Sequence, residues 1–273
     1  MSTADTPTPA GTPATPSPLI EVRDLTVSYR GRQVASLPRL DVFPGECVAL
    51  VGESGSGKTT SLLAILGLLD PTAVTSGSIT SCGVEILRAT RRELRAIRGS
   101  RIAMIMQSPQ ASFNPTTRFG TLMRRALALH GVRGQDSRAR ITEALRSVQL
   151  DDDMLRRYPH QVSGGQAQRI AIALAVALGA EVIAADEPTS ALDVTVQAEV
   201  VAVLQQLRVA RGLGLLLVSH DLALVSTIAD RIVVMQAGRV VDSGTPDDVI
   251  IRSQVPYTRE LIAAVPTLGG ADD

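Results

Sequence analysis

Apolar residues follow two rhythms along the chain, and each rhythm predicts a different kind of element. Over 20–29 they alternate with polar residues, which predicts a half-buried strand ending at Tyr29. Continuous apolar runs are typical of buried strands in a parallel sheet, and they occupy 47–51, 101–106, 181–186 and 213–219. Turn residues predict two hairpins, one over 77–87 around Cys82-Gly83 and one over 231–241 around Ala237-Gly238.

Helical stretches fill most intervals between these strands, so the pattern predicts an α/β fold. The predicted helices cover approximately 61–66, 116–130, 136–149, a short stretch after 151–153, 163–179, 195–211, 222–229, a stretch from 245, and 257–264. The part from about 109 to 161 contains helices only, which indicates a helical insert in a βαβ domain. Residues 1–18 are rich in Pro, Ser and Thr, so we expect a disordered tail there and order from Leu19.

Composition narrows the class of protein. Of the 273 residues, 45% are hydrophobic and 2% aromatic, and 27 basic residues balance 27 acidic ones. A neutral chain has no global field that attracts nucleic acid, so no nucleic-acid partner is expected. The longest apolar run, 170–180, is shorter than the roughly 20 residues that span a bilayer. With no signal-peptide pattern, the sequence predicts a soluble cytoplasmic protein. The two cysteines, Cys47 and Cys82, are expected to be structural.

Residues 52–60 match the phosphate-binding P-loop pattern G-x-x-x-x-G-K-[ST]. They lie between a predicted buried strand and a predicted helix, which is the context that this loop requires. Lys58, the only lysine of the chain, is predicted to reach the β- and γ-phosphates, and the Thr59 hydroxyl to bind Mg²⁺. The predicted ATP-binding residues of this loop are Gly52, Glu53, Ser54, Gly55, Ser56, Gly57, Lys58, Thr59 and Thr60.

A second nucleotide motif is the apolar strand over 182–185 that ends in Asp186 and Glu187. In P-loop enzymes the first carboxylate of such a Walker B strand holds Mg²⁺, directly or through water. The second lies at the strand tip, where it can polarise an attacking water and accept its proton. Taken alone, two acids could simply form a solvated strand end; together with the P-loop they predict one shared magnesium site.

Residues 162–169 place Ser163, Gly164, Gly165 and Gln166 at a predicted helix start, a second anion site that lacks a lysine. This stretch resembles the LSGGQ signature of ABC-transporter ATPases, with Val for Leu. The resemblance implies that the signature of one subunit closes over ATP held in the P-loop of another. It therefore implies a head-to-tail dimer with two nucleotides at the interface.

Other motifs of the family occur in order. Tyr29 matches the aromatic residue that stacks on adenine, and Gln107 matches the Q-loop glutamine that touches Mg²⁺ and water. Ser190 and Asp193 belong to a matching D-loop, and His220 matches the switch histidine that contacts the γ-phosphate and the catalytic Glu. A histidine after a strand is by itself more often structural, and only its register with the other motifs favours the functional role.

The resemblance covers residues 19–265 and implies a P-loop NTPase (RecA-like) core sheet. The resemblance also implies an N-terminal antiparallel β subdomain and an α-helical subdomain inserted in the core at about 109–180. A short tail is expected over 266–273. Catalytic roles are implied for Glu187, His220 and Gln107, and metal binding for Thr59, Gln107 and Asp186.

A narrower resemblance joins the chain to the ATPases of peptide and nickel importers. Its residues occupy 107–115 (QSPQASFNP), 158–161 (YPHQ), 256–261 (PYTREL) and 265–266 (VP). This implies a motor subunit on the cytoplasmic face of the plasma membrane, powering uptake of peptides, nickel or metal chelates. The implied partners are a second ATPase (a copy or a paralogue), membrane permease subunits and an extracytoplasmic substrate-binding protein. Many members carry a cysteine-bearing extension for an iron–sulfur cluster; with no Cys after Cys82, that cluster is not expected here.

Three alternatives remain open at this point. A non-transport ABC ATPase acting on DNA or ribosomes would have a long coiled coil or two cassettes, whereas the stretch between Gln107 and Ser163 is short and one P-loop is present. An ordinary P-loop kinase or GTPase would not need the Ser-Gly-Gly helix start or His220. A non-hydrolysing ATP-binding subunit would not need Glu187. The sequence leaves open which cargo is carried and whether the ATPases pair as a homodimer or a heterodimer.

Overall fold

The computed structural model describes residues 17–264. The tails expected over 1–18 and 266–273 therefore lie outside the described residues, apart from positions 17 and 18, and so does the Val265-Pro266 pair. The strands of the described part are β1 (Ile20–Tyr29), β2 (Arg32–Val42), β3 (Cys47–Val51), β4 (Val74–Ser81), β5 (Val84–Glu85), β6 (Ile102–Ile105), β7 (Val182–Asp186), β8 (Gly214–Ser219), β9 (Arg231–Gln236) and β10 (Arg239–Gly244).

Helices connect or flank these strands. They are α1 (Lys58–Ile65), α2 (Arg91–Ile97), α3 (Pro109–Ser112), α4 (Phe119–Leu129), α5 (Gly134–Ser147), α6 (Gly164–Leu178), α7 (Val194–Arg211), α8 (Leu222–Ile228) and α9 (Pro256–Ala263). Short 3₁₀ helices occur at Ile86–Arg88, Asp152–Arg156 and Pro159–Gln161, and one π-helical turn at Asp247–Ile251. Within residues 17–264, no helix is both long enough and apolar enough to cross a bilayer.

The strands of residues 17–264 form one sheet in the order β5-β4-β1-β2-β10-β9-β3-β8-β7-β6. Strands β9, β3, β8, β7 and β6 run parallel to one another, as the continuous apolar runs predict. Every residue of β3 and β8 is buried, because the side chains on the two faces of these strands pack into two apolar clusters. The antiparallel part, β1, β2, β4 and β5, is continuous with it through the parallel pair Arg239↔Ser36.

Strand β2 is absent from the sequence-based prediction. It lies in the middle of the sheet between β1 and β10, and it contains Pro38, which cannot donate a ladder hydrogen bond. The β1–β2 register is unchanged across the proline, from Arg23↔Arg39 to Leu25↔Leu37. Asp24, which lies between Arg23 and Leu25, has φ 48°, where the register of β1 with β4 is interrupted. Because of the proline and the surrounding charged residues, the sequence pattern does not predict a strand here. Strand β2 is recognised only from its place between β1 and β10.

Three helix predictions also differ from the structure. Helix α2 was not predicted, although Thr90 and Glu93 form a reciprocal capping box at its start. Helix α4 begins at Phe119 rather than near 116, because the Asn114 side chain accepts hydrogen bonds from the Thr116 amide and hydroxyl and turns the chain there. The helix expected from 245 is a single π-helical turn.

The helices between β6 and β7 pack around apolar side chains that are continuous with the core on one face of the sheet. Phe119, Met123 and Leu127 recur along one face of α4 and are fully buried, consistent with a helical repeat. The rings of Phe113 and Phe119 meet edge to face with centroids 5.2 Å apart. Helix α6 carries this layer to the sheet, since its residues contact both α5 and β6.

Replacing Leu127 by Ala is expected to lower the free energy of unfolding by about 2–5 kcal/mol, because truncation of a buried leucine leaves a cavity. Leu129 lies on the same helix with 86% of its surface exposed, whereas Leu127 is fully buried. Leu129→Ala should therefore change stability by less than about 0.5 kcal/mol. Chemical denaturation of both variants measures the difference, and equal losses would contradict the described packing of α4.

Candidate nucleotide-binding site

Adjacent parallel strands of the sheet end at the same edge, and most of the predicted site residues follow these ends. Strand β3 leads into Gly52, β7 ends at Asp186 and is followed by Glu187, β8 is followed by His220, and β6 leads to Gln107. The carboxyl edge of an open α/β sheet is where such folds bind their ligands. Sheet order therefore brings together residues that are far apart in sequence.

The P-loop is closed on itself by its lysine. Lys58 is 5% exposed, and its Nζ donates to the Gly52 carbonyl at 2.6 Å and to the Glu53 carbonyl at 2.7 Å. Burial lowers the pKa of this ammonium, while the nearby carboxylates of Glu187, Asp186 and Glu53 act in the opposite direction. The loop thus holds its cation beside the start of α1, where helix N–H groups favour an anion. Ser56 is buried, whereas Glu53, Ser54 and Gly55 are exposed to solvent.

Two of the loop glycines are required by close approach of other strands. Gly52 has φ 146°, and a Cβ there would lie 2.1 Å from the Met235 carbonyl oxygen of β9. Gly57 has φ 100°, and a Cβ there would lie 2.6 Å from the Val34 carbonyl oxygen of β2. Both glycines are therefore needed for the backbone conformation and for packing of the loop against the sheet.

The two motifs predicted to share a cation are in direct contact. The Thr59 hydroxyl donates to Asp186 Oδ1 at 3.1 Å. Burial raises the pKa of Asp186, and Glu187 adds to this effect, while the Thr59 hydrogen bond and Lys58 oppose it. A hydroxyl and a carboxylate oxygen, the donors that Mg²⁺ prefers, thus lie beside the loop lysine.

Glu187 is held in a special backbone conformation at the tip of β7. Its φ is 47°, in the left-handed region that non-glycine residues seldom occupy. Its amide donates to the Val218 carbonyl at 2.8 Å, and its carboxylate contacts His220 Nδ1 at 3.1 Å. Gln107 joins the same cluster, because its Nε2 donates to Ser190 Oγ at 3.0 Å and that hydroxyl donates to the Glu187 carbonyl at 3.1 Å.

The signature residues start α6 at a different place in the chain. Ser163 Oγ accepts from the Gln166 amide at 3.2 Å, and Gln166 Oε1 accepts from the Ser163 amide at 3.0 Å, which is a reciprocal capping box. A Cβ on Gly165 would lie 2.2 Å from Val196 Cγ1 of α7. Among residues 17–264, no hydrogen bond links 163–166 to 52–60, so the structure does not bring the two predicted anion sites together by direct bonding within one chain.

The remaining predicted residues have local roles that the structure makes visible. A Cβ added at Gly164 would lie 3.0 Å from Leu192 Cδ2 of the D-loop. Asp193 caps α7, since its Oδ1 accepts from the Val196 amide at 3.0 Å. Tyr29 is half-buried at the end of β1 and pairs with Arg32, close in sequence to the Val34 carbonyl that meets the P-loop. Thr60 lies in the first turn of α1.

One contact with the P-loop was missed from the sequence. The Glu53 amide donates to the Tyr257 hydroxyl of α9 at 3.0 Å, across 204 positions of the chain. Tyr257 belongs to the 256–261 stretch that supported the importer resemblance. Neither its periodicity nor its spacing indicated a contact with the loop, because long-range partners are set by the fold.

The whole arrangement has counterparts among known proteins. A protein-family model described as ABC transporter matches residues 37–190, more than half of the chain. The chain belongs to the ABC transporter family. The predicted α/β P-loop fold is confirmed, since the solved structures that share it are ABC cassettes.

Curated relatives agree with the importer resemblance. A peptidoglycan transport ATP-binding protein of Agrobacterium fabrum is 42% identical over 258 residues, covering 91% of this chain and 47% of the relative. A putative peptide import ATP-binding protein of Brucella ovis is also 42% identical over 258 residues, covering 93% of this chain and 80% of that protein. The chain thus spans about half the length of the first relative and most of the second.

Solved structures share the fold over nearly the whole described part. CbiO1 from Clostridium perfringens, part of the ABC transporter complex cbiONQ, superposes with a TM-score of 0.76 at 25% identity, covering 85% of this chain and 90% of that one. The ATP-binding cassette MJ0796, a dimer in a post-hydrolysis state bound to ADP and Pi, gives 0.71 at 27% identity, covering 83% and 98%. Family and neighbours together identify this chain as an ATP-binding ABC ATPase.

Proposed function

We propose that this ABC ATPase is the motor subunit of an importer whose cargo is of the peptide class. The observation that carries the proposal is the cluster at the sheet edge, in which Thr59 contacts Asp186 and Glu187 contacts His220, both at 3.1 Å. The names of the relatives support a peptide cargo. Nickel or a metal chelate is the second candidate, because the 107–115 and 256–261 stretches resemble importers of both kinds.

We assign ATP to the loop at 52–60, with Lys58 beside the β- and γ-phosphates and Tyr29 against the adenine. Phosphate oxygens would take over the Lys58 Nζ hydrogen bonds that the Gly52 and Glu53 carbonyls now accept. Thr59 and Asp186, with Gln107, would hold Mg²⁺; two protein oxygens beside a phosphate site fit this ion, which takes few protein ligands. When bound, Mg²⁺ would neutralise charge on the phosphates.

Glu187 is assigned as the base that accepts a proton from the attacking water. Its left-handed backbone and the Val218 hydrogen bond fix its position at the strand tip. His220 orients this carboxylate and senses the γ-phosphate. Gln107 and Ser190 connect the base to the segment that leads into the helical insert, so the state of the nucleotide can reach those helices.

The signature residues 163–166 are assigned to the nucleotide of a partner ATPase, either a second copy or a paralogue. The side chains of Ser163 and Gln166 cap α6, and among the described residues no hydrogen bond joins 163–166 to this chain's own loop, which supports a ligand in trans. ATP drives closure of the two subunits only through its extra affinity for the closed state. The groove around Phe113, Asn114 and Pro115 would receive a cytoplasmic segment of the membrane permease.

Ser163→Arg is expected to abolish the ATP-induced dimer while leaving ATP binding by the monomer intact. The bulky cation would occupy the place where the partner's phosphates approach. Light scattering in a Glu187→Gln background, with and without ATP, measures the dimer. Thr90→Arg is the matched control, because Thr90 caps α2 with the same reciprocal geometry and lies away from the signature.

A dimer that persists in Ser163→Arg would contradict the assignment in trans. If the Glu187→Gln protein itself stays monomeric with ATP, self-pairing is excluded and the partner is a paralogue. The transport role is tested separately by pull-down from detergent-solubilised membranes. Recovery of a membrane permease is expected, and recovery of ribosomes or DNA in its place would favour a non-transport ABC ATPase.

A further inference from the structure

Helix α9 is anchored to the sheet by polar contacts inside the protein. Thr258 is fully buried, and its hydroxyl donates to Asp242 Oδ2 of β10 at 2.9 Å. The Ser253 hydroxyl donates to the same carboxylate oxygen, and Ser253 Oγ in turn accepts from the Val255 amide at 3.2 Å. One carboxylate therefore fixes both the start of α9 and its first turn.

The neighbouring residue of α9 reaches the P-loop. Tyr257 is 6% exposed, and its hydroxyl oxygen accepts the hydrogen bond of the Glu53 amide at 3.0 Å. Burial raises the pKa of this hydroxyl, so it stays protonated and neutral at physiological pH. The Glu53 N–H therefore donates to a buried side chain whose helix is anchored to the sheet.

The same short piece of backbone is held from its other side by the loop lysine. Lys58 Nζ binds the Gly52 and Glu53 carbonyl oxygens at 2.6 and 2.7 Å. The Tyr257 hydroxyl and the Lys58 ammonium thus hold the first turn of the loop between them. Gly52, with φ 146°, is the residue that would let this peptide rotate if one contact were lost.

We propose that Tyr257 is a positioning residue that fixes the Gly52–Glu53 peptide and thereby preorganises the P-loop and Lys58 for nucleotide. The inference rests on the assignment of the loop as the phosphate site. Without the hydroxyl, the Glu53 amide loses its acceptor and the peptide rotates toward water. The carbonyls that hold Lys58 move with it, and the empty loop then has to be reordered when nucleotide binds.

Tyr257→Phe is the direct test, because it removes only the oxygen. We expect the affinity for ATP and ADP to fall about five- to tenfold and KM for ATP to rise by a similar factor, as for loss of one hydrogen bond. The kcat at saturating ATP should stay within about twofold, because bound nucleotide itself orders the loop. Hydrogen exchange of the Glu53 amide in the nucleotide-free protein should become faster.

Thr258→Val is the matched control, since it removes a hydroxyl of α9 that does not touch the loop, while the Ser253 hydroxyl still holds the start of α9 to Asp242. It should lower the melting temperature without changing KM. If Tyr257→Phe lowers only the melting temperature, with KM and exchange of the Glu53 amide unchanged, the inference is wrong. Should the Phe variant fail to fold, the wild-type protein decides, because Glu53 exchange as fast as in an exposed loop would also overturn it.

Lys58→Ala separates this inference from the function on which it rests. Weaker nucleotide binding in Lys58→Ala together with normal binding in Tyr257→Phe would refute the role of Tyr257 alone. Unchanged binding in both variants would refute the assignment of the phosphate site itself.

Discussion

Replacing Glu187 by Gln is expected to slow ATP hydrolysis by about 10²–10⁴-fold while ATP binding is retained, the usual contribution of a positioned base. The amide has nearly the same shape and can still contact His220, which lies 3.1 Å from the carboxylate. It cannot accept the proton of the attacking water. Steady-state phosphate release and equilibrium titration with ATP measure the two effects separately.

Glu181 offers a matched control, because it lies at the other end of strand β7 from Glu187. Glu181 precedes β7 and pairs with Arg101 at 2.6 Å, away from the carboxyl edge of the sheet. Glu181→Gln makes the same chemical change and should leave turnover unchanged. Equal turnover of Glu187→Gln and wild type would refute the assigned base.

Replacing Lys58 by Ala is expected to weaken nucleotide binding at least about tenfold and to lower hydrolysis by about 10²–10³-fold, because a fixed cation at developing phosphate charge is lost. The loop also loses the contacts that draw the Gly52 and Glu53 carbonyls together. Lys58→Arg should be impaired as well, since a planar guanidinium does not fit a pocket built for a compact ammonium. Isothermal titration with ADP and phosphate-release rates report both effects.

Arg92→Ala supplies the control for charge. Arg92 is exposed on α2, and its loss changes the net charge by the same amount as Lys58→Ala. Nucleotide affinity should be unchanged in this variant. An undiminished affinity in Lys58→Ala would show that the ammonium does not contact the phosphates.

Local pattern predicted most of the parallel part of the sheet and its helices. Strands β3, β6, β7 and β8 were recognised because buried parallel strands are continuous apolar runs, and the predicted bounds of α6 and α7 lie within one residue of the observed ones. Strand β2 was missed because Pro38 and the flanking charged residues interrupt the strand pattern. It is evident only in the structure, where it lies between β1 and β10. Helix α4 was predicted to begin early because the Asn114 turn is set by a side chain rather than by periodicity.

For the candidate site, sequence motifs named the loop, both carboxylates and the histidine. For the glycines of these motifs, the structure adds a packing requirement that the motifs do not contain. Gly165 was predicted to belong to an anion site at a helix start, and the structure shows that its missing side chain makes room for Val196. Gly52 and Gly57 similarly accommodate carbonyls of β9 and β2. These constraints depend on what packs against the loop, which a local pattern does not contain.

The sequence by itself determined the family, the fold class and the identity of the nucleotide motifs, because those properties depend on residue type and short-range spacing. The motifs and the resemblance also led us to expect that Thr59 meets Asp186 and that Glu187 meets His220, and the structure supplies the geometry of both contacts. Only the tertiary structure decided the hydrogen bond from Glu53 to Tyr257, which joins two elements that no motif connects. Such contacts arise from the order of strands in the sheet and the docking of α9, which are fixed by burial of the whole chain rather than by any single stretch of it.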